Sequence, residues 1–171
     1  MDEVPAEKWE TLIQVNLLAP MRLSSLFAAD MIRRRQGHIV NISSASGWVV
    51  PPGMAHYGAS KFALRGFSEG LLNEVKIYNV KVTAVYPFFS RTPILQSEQY
   101  GSLAKPKKEV PDFIITDPAK VMGKTIQAII DDKPQVSPYL MANIISVIKR
   151  FLPQLLTLIF NRFNRKQIAN L

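Results

Sequence analysis

The sequence predicts an α/β domain built on a parallel sheet, and three observations point there. Segments with helical apolar spacing alternate with two short β-branched runs, "HIVNIS" and "VKVTAVYP". Both runs are apolar almost throughout, as expected of strands covered on both faces. At 171 residues and 47% hydrophobic content, the chain has what one ordinary core requires. Its 12 prolines and 8 glycines are dispersed, with no repeat period and no Ser/Gly linker between halves. The expected organisation is a sheet-bearing unit over residues 1–137 followed by an amphipathic helical tail over 138–171.

The first element is "VPAEKWETLIQVNLLAPMRLSSLFAADMIRRRQG", read as helix in two pieces. Pro5 suits a first turn, Pro20 interrupts, and Arg33, Arg34 and Arg35 sit at the negative end of the dipole before Gly37. "HIVNIS" follows as a buried strand, then a loop around Gly47 and Gly53. Residues 57–78 resume a helical pattern, with Phe62, Leu64, Phe67, Leu71, Leu72 and Val75 as its apolar face. "VKVTAVYP" is a second buried strand. Residues 88–116 show no period and are long for a connection within a compact domain, which suggests a lid or binding loop. Asp117 and Pro118 open a helix through Asp132, and "PQVSPY" reads as a last short strand.

Composition excludes several chemistries. With no cysteine there is neither a disulfide nor a thiolate metal site, and the isolated His38 and His56 make a poor metal centre, so no metal is expected. The net charge of +8 is concentrated at the end. After Asp132 come Lys133, Lys149, Arg150, Arg162, Arg165 and Lys166 with no acidic residue to balance them. They are set among the apolar runs "YLMANIISVI" and "FLPQLLTLIF", each too short for a span of about 20 residues. Such a tail suits an interfacial helix on an anionic membrane, each cation contributing about 1 kcal/mol near the surface. It equally suits a helix that covers the domain or a dimer partner. Nucleic acid is not an expected partner, because the cations lie inside apolar runs rather than on a polar face. The acidic, polar start "MDEVPAEKWE" is not a signal peptide. A cytoplasmic location is expected, with the tail peripheral on the inner membrane face.

Chemistry concentrates in "SSASGWVVPPGMAHYGASK". Tyr57 and Lys61 stand four apart on an expected helix, so both side chains leave one face and reach one site. A free tyrosine titrates near about 10 and is a poor acid or base at neutral pH, whereas a neighbouring ammonium lowers that value. A hydroxyl from Ser44, at the end of the preceding strand, is placed to bond the same substrate oxygen that Tyr57 protonates. The set suits interconversion of a carbonyl and an alcohol. A tyrosine and lysine at this spacing also arise by chance. The order sharpens the signal: strand, "SSASG" turn and tyrosine helix come in succession, with Asn16 on the helix before them.

In "WETLIQVNL", "HIVNISSASG" and "YGASK" the chain resembles the catalytic, C-terminal half of the short-chain dehydrogenase/reductase family, over about the first 95 residues. The resemblance implies a partial Rossmann-like, doubly wound parallel sheet that lacks its first strands. It implies Tyr57 as general acid/base, Ser44 as the group that polarises the carbonyl, and Lys61 as the cation that lowers the phenol's pKa and binds the nicotinamide ribose. Asn16 would hold a water in the proton relay; from the residues alone it is a helix break near Pro20. In "YPFFSRTP", Pro87 and Thr92 match the family's Pro-Gly-x-x-x-Thr, while Phe88 replaces the glycine. Pro87, Phe89 and Thr92 thus become cofactor contacts. The cofactor implied is NAD or NADP, and the full-length form is implied to be a homo-oligomer. Phe88, Ile94 and Leu95, with Ser44 and Tyr57, would contact a small lipophilic alcohol or ketone; they would equally pack as a satellite core beneath the loop.

The family's opening βαβ unit has a glycine-rich turn that lets a pyrophosphate approach a helix N-terminus. No glycine precedes Gly37 here, and Gly66 and Gly70 fall inside the tyrosine helix. The chain is therefore expected to be truncated, to leave "HIVNIS" with an open apolar edge, to be poorly soluble and to lack turnover alone. Two readings stand: the catalytic half of an NAD(P)-dependent oxidoreductase, or a non-catalytic remnant or membrane-associated interaction module.

Overall fold

The computed structural model describes residues 3–96, 100, 112–156, 158 and 162. Helix α1 (Ala6–Ile13) passes through a π-helical segment (Gln14–Leu18) into α2 (Ala19–Arg34). The two expected pieces thus run on as one. Pro20 lies in the first turn of α2. In a regular helix its ring would press on the carbonyl of Asn16; instead the wider π turn, in which the Ala19 N–H reaches back to the Gln14 carbonyl, carries the chain past this point. Residues 6–34 are long and apolar enough to cross a membrane by length and composition. Their polar side chains nevertheless bond to the sheet and its crossover helix: the buried Ser24 hydroxyl donates to Asn41 Oδ1 at 3.5 Å, and Asn16 Nδ2 to Ser60 Oγ at 3.3 Å.

Strand β1 (Gly37–Ile42) is joined by helix α3 (Ala55–Val75) and a 3-10 turn (Lys76–Tyr78) to β2 (Val80–Val85), which lies parallel to it from Gly37 opposite Val80 to Ile42 opposite Val85. Left-handed Arg35 and Asn79 close the two preceding helical segments, and Asn79 Nδ2 donates to the Arg35 carbonyl at 2.9 Å. Helix α4 (Pro118–Ile130), capped by the Asp117 carboxylate on the Ala119 N–H, leads to β3 (Gln135–Val136). The order β1-β2-β3 is parallel throughout, so the expected α/β class and parallel sheet are observed.

Val80, Val82 and Val85 in the central strand are almost wholly buried, each contributing about 1.5–3 kcal/mol by leaving water. Val80 and Val82 form a core with Ala28, Ile39, Leu71 and Val75. Leu64, Leu71 and Val75 face inward as their spacing demands, whereas Phe62 is exposed. Thr83, fully buried, is satisfied: its hydroxyl donates to the Lys133 carbonyl at 2.7 Å and lies 2.7 Å from His38 Nε2.

β1 is an edge among the described strands. Beyond its end, Ser43 N–H and Ala45 N–H donate to the Val85 and Pro87 carbonyls. By the two-residue period of a strand, the odd residues of β1 face β2, and His38, Val40 and Ile42 turn their backbone groups to the free edge.

The long connection after β2 is fastened at its base. Ser90 and Thr116 form a parallel bridge, Thr116 N–H donates to the Phe89 carbonyl at 2.8 Å, and Arg91 pairs with Asp112 at 2.9 Å. Residues 97–99 and 101–111 of the expected lid lie outside the described residues. Helix α5 (Leu140–Phe151) opens the tail, of which residues 157, 159–161 and 163–171, including Arg165 and Lys166, also lie outside them.

Candidate active site

The carboxyl ends of β1 and β2 set the site, because the chain leaves both strands there and turns toward the start of α3. Ser43 is buried and its hydroxyl donates to the Lys61 carbonyl at 2.9 Å, tying the strand end to the middle of α3. Ser44 is the extended cap of a 3-10 turn (Ala45–Gly47), and its oxygen accepts from the Ser46 N–H at 3.1 Å. Gly47 lets this turn lie on the helix: a Cβ there would stand 2.8 Å from Ser43 Oγ and 3.0 Å from the Lys61 carbonyl oxygen.

Tyr57, in the first turn of α3, brings its phenol within the influence of the Ser44 side chain. Burial raises the phenol's pKa above the ordinary tyrosine value, and Ser44 opposes that rise. The opposing influence comes from Ser44 rather than from Lys61, whose ammonium nitrogen sits 5.8 Å from the ring centroid. Lys61 Nζ donates to the Ile42 carbonyl at 3.0 Å, on the free edge of β1, and burial lowers its pKa. Burial thus favours the neutral form of both groups.

Asn16 reaches this assembly indirectly. Its side chain donates to Ser60 Oγ, which is wholly buried and donates in turn to the Tyr57 carbonyl at 2.7 Å. Asn16, Ser60 and Tyr57 are thus joined across two elements, and Pro20, lacking an N–H, cannot supply the helical bond to the Asn16 carbonyl. Asn16 and Lys61 also border an open, largely apolar groove of about 460 Å³ along β1, with Val15, Leu23, Phe27 and Ile42 among its walls.

The residues after β2 are placed differently. Pro87 lies beside the Ser44 turn, its carbonyl bonded by Ala45 N–H at 2.8 Å. Phe88 stacks on Tyr139 with 5.7 Å between ring centroids and meets Phe89 edge to face at 4.9 Å. Thr92 folds back locally, its N–H donating to the Ser90 carbonyl at 2.8 Å. Ile94 is exposed and Leu95 half-buried.

Sequence reasoning missed Arg65, one turn beyond Lys61. Its guanidinium carbon lies 3.3 Å from the Trp48 ring centroid, a cation–π contact, its Nη1 donates to the Gly47 carbonyl at 3.5 Å, and its charge opposes the burial that raises the pKa of Tyr86. Arg65 therefore joins α3, the segment after the Ser44 turn and the exit of β2. The four-residue step from Lys61 carried that signal.

Residues 1–101, the N-terminal part of this chain, match the family model described as short chain dehydrogenase. Nodulation protein G from Rhizobium sp. (strain N33) is 34% identical over 119 residues, which cover 70% of this chain and 46% of that protein. The 3-ketodihydrosphingosine reductase of Mus musculus is 40% identical over 97 residues, 57% of this chain and 29% of its own length. Among solved structures, a short-chain dehydrogenase from Sphingobium yanoikuyae in complex with NADPH aligns with a TM-score of 0.71 at 27% identity, covering 80% of this chain and 51% of that one. This chain spans less than half the length of either curated relative.

Proposed function

Because this chain belongs to the short-chain dehydrogenase family, we propose that it carries the catalytic half of an NAD(P)-dependent oxidoreductase that interconverts a lipophilic alcohol and its carbonyl. One observation carries the reading: the Tyr57 phenol faces the Ser44 turn at the carboxyl end of β1, with the Lys61 ammonium 5.8 Å from its ring centroid. Burial keeps the phenol protonated at neutral pH, the form that donates to a carbonyl oxygen. Ser44, oriented by the Ser46 N–H, bonds that oxygen and steadies the charge that builds on it. In the alcohol direction Tyr57 takes the proton back.

The nicotinamide group, when bound, supplies or accepts the hydride at carbon. The donor set fits its ribose: Lys61 gives one proton to the Ile42 carbonyl and has two more for a diol beside the Tyr57 hydroxyl. Pro87, Phe89 and Thr92 complete this end of the proposed cofactor site. A lipophilic substrate is supported by the apolar Phe88, Ile94 and Leu95, and by a relative named for 3-ketodihydrosphingosine, a long-chain ketone. Replacing Tyr57 by Phe in the native protein should cut NADH- or NADPH-dependent ketone reduction by about 10²–10⁴-fold. Unchanged turnover would sink the assignment.

A second reading is a non-catalytic interaction module. Failure to bind NADH or NADPH in a titration of the native protein would decide for it.

A further inference from the structure

Helix α5 is fixed to the body by one face and leaves the other bare. At its inner side Ala142 and Leu156 are buried, Tyr139 stacks on Phe88, and Lys124 Nζ donates to the Pro138 carbonyl at 2.8 Å. Outward, Leu140, Ile144, Val147 and Phe151 are all exposed, the first and last by 70%. Their spacing of four, three and four residues puts them on one stripe. The exposed Leu152, Leu155 and Leu158 extend the apolar surface past the helix, and Met122, Ile126 and Ile130 form a second exposed stripe on α4. Soluble monomers rarely leave so many large apolar side chains in water.

The charge says what covers them. Six of the eight net positive charges fall after Asp132, in a stretch with no acidic residue, and Lys149, Arg150 and Arg162 are exposed in the structure. Two copies meeting symmetrically through this face would bring these cations against their own counterparts with no carboxylate between them. An anionic lipid surface offers the opposite sign together with an apolar layer. Helix α5 has 12 residues, about 18 Å, short of the roughly 30 Å needed to cross that layer. We infer that α5 lies flat on an anionic membrane, with Leu140, Ile144, Val147 and Phe151 immersed and Lys149 and Arg150 at the headgroups. The orientation would present the loop after β2, fastened to α5 through Phe88 and Tyr139, close to the lipid.

The inference does not depend on the chemistry at Tyr57, and its test needs no turnover. The pure 171-residue chain is mixed with phosphatidylcholine vesicles, with or without phosphatidylserine, and floated through a density gradient, so that aggregates stay below while lipid-bound protein rises. Flotation should require phosphatidylserine and fall about tenfold or more when salt is raised to about 0.5 M. The double variant K149E/R150E, which alters only exposed positions, should bind about tenfold or more weakly with an unchanged circular dichroism spectrum. I144D/F151D should no longer float. Protein that stays at the bottom with anionic vesicles at low salt overturns the inference. Flotation that ignores both phosphatidylserine and salt does so too. A lipid-free dimer that I144D/F151D dissociates would assign the face to a second copy.

Discussion

At Tyr57, burial and the neighbouring Ser44 side chain pull the phenol's proton affinity in opposite directions, and burial is the larger. The folded pKa therefore exceeds the unfolded value of about 10. Folded-state stability from this group is complete below about pH 10 and lost as the pH climbs through the folded value. Lys61 acts in the other sense: its folded pKa is lowered, so stability is gained as the pH rises through that folded value toward the ordinary lysine one. Tyr57→Phe removes only the first effect. Urea unfolding at about pH 9 and about pH 11 should show wild type losing more stability across that interval than the variant; equal losses would place the phenol in water rather than in a buried pocket. Tyr57, Lys61 and Ser44 were legible in the sequence because their relation is local, one helical turn and one strand–turn–helix order. The Asn16 bond to Ser60 joins residues 44 apart and leaves no period to read.

Between elements, the site is held by side chains that cross from α3 to its neighbours. Ser43 fixes the β1 exit to Lys61, and Arg65 fixes the segment after the Ser44 turn and the β2 exit to the same helix. Arg65→Leu would leave the Gly47 carbonyl without this donor and would remove the cation from Trp48. We expect a loss of about 1–3 kcal/mol in urea unfolding, with greater exposure of Trp48 to a fluorescence quencher in a Trp9→Phe background. Unaltered stability and quenching would show that Arg65 does not brace the turn. The strands were legible because β-branched residues crowd into six-residue runs, and α4 because Asp117 and Pro118 mark its start. The π segment was not, since Pro20 reads as a break whether the helix stops or widens to pass it. Phe62 misled for a related reason: an apolar residue fits a helical stripe by spacing even when the stripe's edge faces water.

Across the whole molecule, β2 lies between two neighbours and β1 is an edge among the described strands. Ser43 and Ala45 bond to the β2 side, so the amides of His38, Val40 and Ile42 point to the free edge. Hydrogen exchange should therefore alternate along β1, fast at these three and slow at Ile39 and Asn41, while β2 is protected between its two neighbours. Uniform protection along β1 would mean that another strand occupies the edge. Lys61 already occupies one position there, because its ammonium bonds the outward Ile42 carbonyl. The length of the connection after β2 was legible, but its fastening was not, because a bridge between Ser90 and Thr116 has no sequence signature. That fastening makes the segment between them a cassette. Its ends meet at a base built from backbone bonds, so the cost of closing it depends only weakly on how many residues it holds. A different insert could therefore be carried on the same base while the three described strands keep their register.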